Sequence, residues 1–136
     1  MNQQIAQIAL LVNDYDEAII FYTKKLNFTL MEDTVINSTK RWVIVAPFNS
    51  ENSCKLLLAK AVGIKQKSLV GNQTGGRVFL FLHTDNFERD YNNLLENNIS
   101  IVRKPTIEIY GTVAVFADLY GNLWDLIEPK KELRSR

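Results

Sequence analysis

Side chains able to do chemistry are scarce in this sequence. Its 136 residues contain one histidine, His83, and one cysteine, Cys54. A single histidine excludes any zinc site that needs two or more imidazoles. A single cysteine cannot form an internal disulfide, which favours a reducing compartment. We therefore expect a cytoplasmic protein whose chemistry depends on other groups.

Two polar side chains lie on predicted strands that are otherwise apolar. Gln7 belongs to the predicted strand 5–12, and Asp125 belongs to the predicted strand 123–128. Successive side chains of a strand point to opposite faces. A face with apolar walls and few polar groups is typical of a small-molecule site. Alternation puts the following residues on such faces: Ile5, Gln7, Ala9 and Leu11; Phe79, Phe81 and His83; Leu123, Asp125 and Ile127.

Composition narrows the class of protein. Sixteen basic and 15 acidic residues give a net charge of +1, whereas nucleic-acid binding favours a surplus of Lys and Arg. Hydrophobic residues make up 46% and charged residues 23%, as in globular domains. No apolar run approaches the roughly 20 residues of a membrane span. We expect one domain that has neither nucleic acid nor membrane as a partner.

The elements that position these residues occur twice, in the order strand, helix, three strands. The predicted domain is 1–128, with module one at 1–60, a glycine-rich linker at 61–76, module two at 77–128 and a flexible tail at 129–136. The predicted strands are 5–12, 28–35, 41–46, 55–59, 78–84, 99–103, 110–116 and 123–128, and the predicted helices are 14–26 and 85–97.

A weak internal repeat links the two modules. Residues 12–16 match residues 84–88, and residues 26–28 match residues 97–99, so the second helix is one residue shorter. Asn27 follows the first helix where a left-handed residue would end it, and Asn98 follows the second. Such a repeat fixes the architecture. We predict an α+β fold in which two βαβββ modules form a curved, mixed, mainly antiparallel sheet with a concave cup and helices outside.

The repeated order, the opening at 8–22 and the closing segment Asp118 to Leu126 with its Gly121-Asn122 turn resemble the vicinal oxygen chelate superfamily. That superfamily includes glyoxalase I, bleomycin-resistance proteins and extradiol dioxygenases. The resemblance covers about residues 5 to 128. Asn27 replaces the usual Gly and Leu119 the usual Pro, and both are local turn changes.

For the enzymes of this superfamily, the resemblance implies a divalent metal on the concave face. The ligand positions carried over to this chain are Gln7, Leu57, Phe79 and Asp125. Catalytic zinc takes three protein ligands, and non-haem iron takes two His and a carboxylate. One amide and one carboxylate do not offset the desolvation of the ion. We therefore expect no metal and no other cofactor.

The predicted function is metal-independent binding of a small organic ligand in an apolar cup. The alternatives are a metal-dependent lyase or dioxygenase of the glyoxalase type, a metal-free proton-transfer enzyme with Asp125 as its base, and a protein–protein scaffold. The resemblance also implies a homodimer. The predicted ligand-binding residues are Gln7, Leu57, Phe79, Phe81, His83 and Asp125.

Several of these residues carry open alternatives. Gln7 either contacts the ligand or forms a hydrogen bond with a neighbouring strand side chain. Phe79 and Phe81 either line the cup or belong to the core. Asp125 either contacts the ligand or pairs with a donor such as Arg41, Arg77, Gln7 or a tyrosine hydroxyl. Desolvation on an apolar face would make its carboxylate a candidate general base. His83 is expected at the rim or in the core rather than as a catalyst. Asp125 is thus the only candidate catalytic residue.

Overall fold

The strand order repeats, as the sequence predicted. The computed structural model describes residues 2–48 and 52–131 and divides into two units, Met1–Val70 and Gly71–Arg136. The first unit contains β1 Gln7–Val12, α1 Tyr15–Ile20, a π-helical turn Phe21–Lys25, β2 Thr29–Val35, β3 Arg41–Ala46, β4 Lys55–Lys60 and α2 Gly63–Leu69. The second contains β5 Leu80–His83, α3 Phe87–Glu96, β6 Ser100–Glu108, β7 Gly111–Ala117 and β8 Leu123–Pro129.

Each unit has one four-stranded mixed sheet. The strand orders are β1-β4-β3-β2 and β5-β8-β7-β6, so each fourth strand lies beside the first of its unit. The β1–β4 and β5–β8 pairs are parallel, and the other pairs are antiparallel. The predicted α+β class with two βαβββ modules is confirmed.

Matching residues begin and end the main helix of each module. The Asp14 side chain accepts a hydrogen bond from the Glu17 N–H at 2.8 Å, and the Asn86 side chain accepts one from the Arg89 N–H at 3.1 Å. Asn27 and Asn98 have φ angles of 62° and 56°. Asparagine tolerates this left-handed conformation better than most residues, which is why it ends both helices.

The extra residue of the first helix is accommodated by a π-helical turn. Phe21–Lys25 continues α1 with wider turns, and the Leu26 N–H donates to the Phe21 carbonyl five residues back at 3.1 Å. A π turn holds one more residue than an α turn before the chain returns to the same side. The one-residue difference between the repeats therefore corresponds to a local change in winding.

Each sheet buries one face under its helix. In the first unit, Leu10, Leu58 and Val43 are register partners and have no exposed surface. In the second, the rings of Phe116 and Trp124 are stacked, with their centroids 5.8 Å apart. Both sets alternate with residues of the opposite face, so the predicted period-two pattern is confirmed.

A buried polar turn joins β7 to β8. Asp118 accepts hydrogen bonds from the Tyr120 N–H at 2.9 Å, the Asn122 N–H at 2.9 Å and the Asn122 side-chain amide at 2.8 Å. Gly71 packs against this turn with φ of 80°, and a Cβ there would lie 1.9 Å from the Tyr120 carbonyl oxygen. The turn needs its Asp and Asn because both are buried and their polar groups pair with each other.

Several predicted boundaries differ from the structure. β6 continues to Glu108, past a proline, where the sequence predicted a strand ending at residue 103. Proline is tolerated there because β6 is an edge strand of its sheet. The predicted linker 61–76 contains the helix α2, which the sequence does not predict, and Pro129, the first residue of the predicted tail, ends β8. Residues 132–136 of that tail lie outside the described residues. Among the helices that are described, none is long and apolar enough to cross a membrane.

Candidate functional site

One face of the second sheet is defined by a row of register partners across all four strands. Phe81 pairs with Asp125, Asp125 with Val115, and Val115 with Arg103. Register partners point to the same side of a sheet, so these four side chains share one face. We call this the open face.

The opposite face belongs to α3. Glu128 lies three residues after Asp125 on β8, so the two side chains point to opposite faces. The Glu128 carboxylate accepts a hydrogen bond from the Phe87 N–H at 2.7 Å. Phe87 is the first residue of α3, so the Glu128 side of β8 is the covered side. Trp124 and Leu126 share that side with Glu128 and are buried. The Asp125 side chain therefore points away from α3.

Apolar and aromatic side chains surround Asp125 on the open face. His83 pairs with Ile127 and Ile127 with Val113, which gives a second row beside the first. Val113, Val115 and Ile127 are buried, whereas Phe81 is 61% exposed and His83 is also exposed. Phe79 joins the same edge, since its N–H donates to the Leu123 carbonyl at 2.8 Å. A mainly apolar face with an accessible ring and one carboxylate results.

The Asp125 carboxylate is half-buried, and burial raises its pKa above the ordinary value because the charged form loses hydration. The charge of Arg103 acts in the opposite direction and is the smaller influence. Within residues 2–48 and 52–131, no hydrogen bond or ion pair joins the Asp125 side chain to another group. The carboxylate can therefore accept a hydrogen bond from a ligand.

The equivalent face of the first sheet carries Gln7 and Leu57. Leu57 pairs with Ala9 and Ile44, and Ile44 pairs with Glu32. Gln7 pairs with Lys55, which lies two residues before Leu57 on β4 and therefore on the same face. Gln7 and Leu57 are both half-buried. The six predicted ligand-binding residues thus fall into two sets: Gln7 and Leu57 on the first sheet, and Phe79, Phe81, His83 and Asp125 on the second.

Arg41, one of the suggested partners of Asp125, is engaged within the first unit. Its guanidinium lies 2.7 Å from Asp33 and 2.9 Å from Asp16, and its side chain lies over the Tyr15 ring, 5.1 Å from the centroid. The two carboxylates raise its pKa. Tyr15 and Asp16 belong to α1, so this cluster ties the β2–β3 pair to the helix. Its pairing with Asp125 stays a prediction.

Arg103 is the charged residue that sequence analysis missed. The sequence predicts it as the last residue of a strand, and its relation to Asp125 depends on the register of both the β8–β7 and the β7–β6 pair. β6 is irregular on both sides of it, between Ile101 and Arg103 and between Arg103 and Thr106. Such irregularities change which residues face a given side. Counting by twos along the sequence therefore could not identify it.

Metal-ligating side chains are sparse around these faces. No group of three or more His, Cys, Asp or Glu side chains in the described part of the chain is arranged to hold a metal ion. The positions implied by the resemblance contribute one amide at Gln7 and one carboxylate at Asp125. This donor set does not fit catalytic zinc or non-haem iron.

Comparisons with known proteins agree with this architecture. An uncharacterized protein of Shewanella frigidimarina (strain NCIMB 400) is 58% identical over 129 residues, which cover 94% of this chain and 95% of the relative. UcmS2 matches with a TM-score of 0.80 and 28% identity, over 94% of this chain and 99% of that one. TnmS3, an antibiotic binding protein from Streptomyces sp. CB03234, matches with a TM-score of 0.77 and 25% identity, over 95% and 98%. The family model that matches residues 4–126 is that of the Glyoxalase/Bleomycin resistance protein/Dioxygenase superfamily, and the chain belongs to this superfamily.

Proposed function

We propose that this protein binds a small organic molecule on its apolar sheet faces and does so without a metal ion. The observation that carries the proposal is the exposed ring of Phe81 beside the half-buried carboxylate of Asp125. Large aromatic side chains are usually buried, and an exposed one on an apolar face offers a surface for a ligand. Asp125 supplies the polar contact that orients the molecule.

Similarity to TnmS3 supports a binding role. That protein is described as antibiotic binding, and it matches this chain over nearly its whole length. Fold alone does not determine function, so the argument rests on the site. The site and the similarity both favour an organic ligand of modest size.

The donor set supports the metal-free part of the proposal. The resemblance puts Leu57 and Phe79 at two of the four positions where the superfamily's enzymes hold metal ligands, and neither side chain can coordinate a cation. Gln7 on the first sheet and Asp125 on the second would each supply one weak oxygen ligand. Two such ligands do not compensate for the lost hydration of a divalent ion.

Metal analysis and a ligand screen test the two parts together. We would purify the protein without chelator, measure bound divalent metals, and screen small aromatic compounds by thermal shift before and after EDTA dialysis. We expect no stoichiometric metal and ligand-induced shifts that EDTA leaves unchanged. One tightly held divalent ion per chain, with binding lost after EDTA, would overturn the metal-free proposal. An aromatic panel without a binder would overturn the binding function itself.

A second candidate function is metal-free proton transfer with Asp125 as the base. The raised pKa of Asp125 favours it, because a base is most effective when its pKa approaches the working pH. Asp125→Asn keeps the shape of the side chain but cannot take up a proton. A substrate turned over equally well by this variant would eliminate the candidate. The homodimer and the cytoplasmic location stay predictions.

A further inference from the structure

We infer that the open face of the second unit selects an organic cation, a protonated amine that donates to the Asp125 carboxylate while its apolar group lies on the Phe81 ring. This inference rests on the proposed binding function and specifies its ligand class.

Phe81 and Asp125 are direct neighbours on this face. They are register partners on the parallel strands β5 and β8, and neighbouring strands lie about 4.8 Å apart. Phe81 is 61% exposed, so most of its ring is accessible to a ligand. The two contacts of the ligand are therefore one strand spacing apart, which a small ring with a short amine substituent can span.

The Asp125 carboxylate is half-buried and has no compensating partner. In the described residues of the second unit, no hydrogen bond or ion pair involves its side chain. Burial removes hydration from the charged form of this group. A protonated amine would supply a charged hydrogen bond, and such bonds are roughly twice as strong as those between neutral groups. A neutral donor would form a weaker bond, and an anion would be repelled.

Arg103 lies on the other side of Asp125 and opposes a cation only weakly. The strand order β5-β8-β7-β6 places its backbone two strands from Asp125 and three from Phe81, which is roughly 10 Å and 14 Å. Arg103 is exposed, and at physiological ionic strength exposed charges are largely screened beyond about 8 Å. A cation between Phe81 and Asp125 thus meets the carboxylate at hydrogen-bond distance and the guanidinium at long range.

The apolar group of the ligand extends over β5. On the β7 side of Asp125, Val115 is 3% exposed and offers almost no surface, whereas Phe81 on the β5 side offers most of its ring. Phe79 lies two residues before Phe81, on the same face, and continues the apolar surface. We therefore expect primary amines that carry one aromatic or compact apolar group.

Three probes of similar size separate charge from shape: benzylamine, benzyl alcohol and benzoate. NMR titration of the isotope-labelled full chain at pH 7 gives their dissociation constants and shows which backbone amides respond. We expect benzylamine, which is protonated at this pH, to bind about tenfold more tightly than benzyl alcohol, the difference between a charged and a neutral hydrogen bond. Benzoate should bind most weakly, and the largest shifts should lie in β5 and β8.

Two variants with the same change of charge test the role of the carboxylate. Asp125→Asn keeps the shape of the side chain and should weaken benzylamine binding about tenfold, to the level of benzyl alcohol. Glu96→Gln removes a negative charge from an exposed position at the end of α3, which covers the opposite face, and should keep the preference. Spectra of the unliganded variants establish that both are folded.

The outcomes separate the inference from the proposal beneath it. If benzyl alcohol or benzoate binds as tightly as benzylamine, or if Asp125→Asn keeps the preference, the ligand class is wrong. The ligand class is also wrong if other aromatic compounds shift the amides of β5 and β8 and benzylamine does not, while binding at the sheet face stands. If neither these probes nor a wider aromatic panel binds, the proposed function fails and this inference fails with it.

Discussion

Replacing Phe81 by alanine tests whether its ring contacts a ligand or belongs to the core. Phe81 is 61% exposed. Taking about 200 Å² for a fully covered ring, about 80 Å² is buried in the fold and about 120 Å² is free for a ligand. At about 25 cal/mol per Å², the upper limits are about 2 kcal/mol for the stability loss and about 3 kcal/mol for the binding loss. We therefore expect Phe81→Ala to fold normally and to bind an aromatic ligand found in the thermal-shift screen up to about a hundredfold more weakly.

Phe116→Ala is the matched control for this experiment. Phe116 lies on the covered face of the same sheet and has no exposed surface, so its loss should cost about 3–5 kcal/mol. Urea unfolding followed by far-ultraviolet circular dichroism gives both stabilities, and NMR titration gives the affinities. If Phe81→Ala loses as much stability as Phe116→Ala, Phe81 is a core residue. If it binds that ligand as wild type does, the Phe81 ring does not contact the ligand. Either result would refute the reasoning.

Three further predictions concern the site and its framework. Because the pKa of Asp125 is raised in the fold, ionisation of this carboxyl destabilises the folded state as the pH rises from the ordinary carboxyl pKa through the raised one. At pH 7, Asp125→Asn should therefore unfold at a higher urea concentration than wild type. Below the ordinary carboxyl pKa, the variant should lose this advantage. Gly71→Ala should lose more stability in urea unfolding than Gly75→Ala. Both glycines have positive φ, so an alanine at either position costs about 1–2 kcal/mol of backbone strain. Only at position 71 would the Cβ also clash with a carbonyl oxygen, that of Tyr120 at 1.9 Å. Deleting Thr23 should convert the π turn to an α turn, and NMR spectra should show an intact fold. Deleting Asn92 from the regular helix α3 should instead displace Asn98, the left-handed residue that ends the helix, and unfold the second unit.

Much of the fold could be predicted because its signals are local. The caps at Asp14 and Asn86 and the left-handed asparagines at 27 and 98 act within a few residues of the helix ends they determine. Strand alternation is local as well, and it identified the face of Asp125. The helix α2 was missed because Gly63 begins it, none of its residues is buried, and no apolar periodicity marks it.

The site was predicted in part, since it depends on distant residues. The shared face of Phe81 and Asp125 follows from two strands with regular alternation, and the register confirms it. Arg103 belongs to the same row only because β6 is irregular on both sides of it. No count along the sequence reveals that position.

The duplicated architecture shows where the two units diverge chemically. Rows at equivalent register positions cross both sheets: Ala9, Leu57, Ile44 and Glu32 in the first, and Phe81, Asp125, Val115 and Arg103 in the second. A register shift precedes the last residue of each row, so the irregularity belongs to the scaffold. The scaffold is the same in the two rows, and the side chains differ. The first row is apolar except for Glu32 at its end, whereas the second contains the aromatic ring of Phe81, the carboxylate of Asp125 and the guanidinium of Arg103. We therefore expect aromatic and charged contacts with a ligand in the second unit, and exchanging these four positions between the units would transfer those contacts to the first.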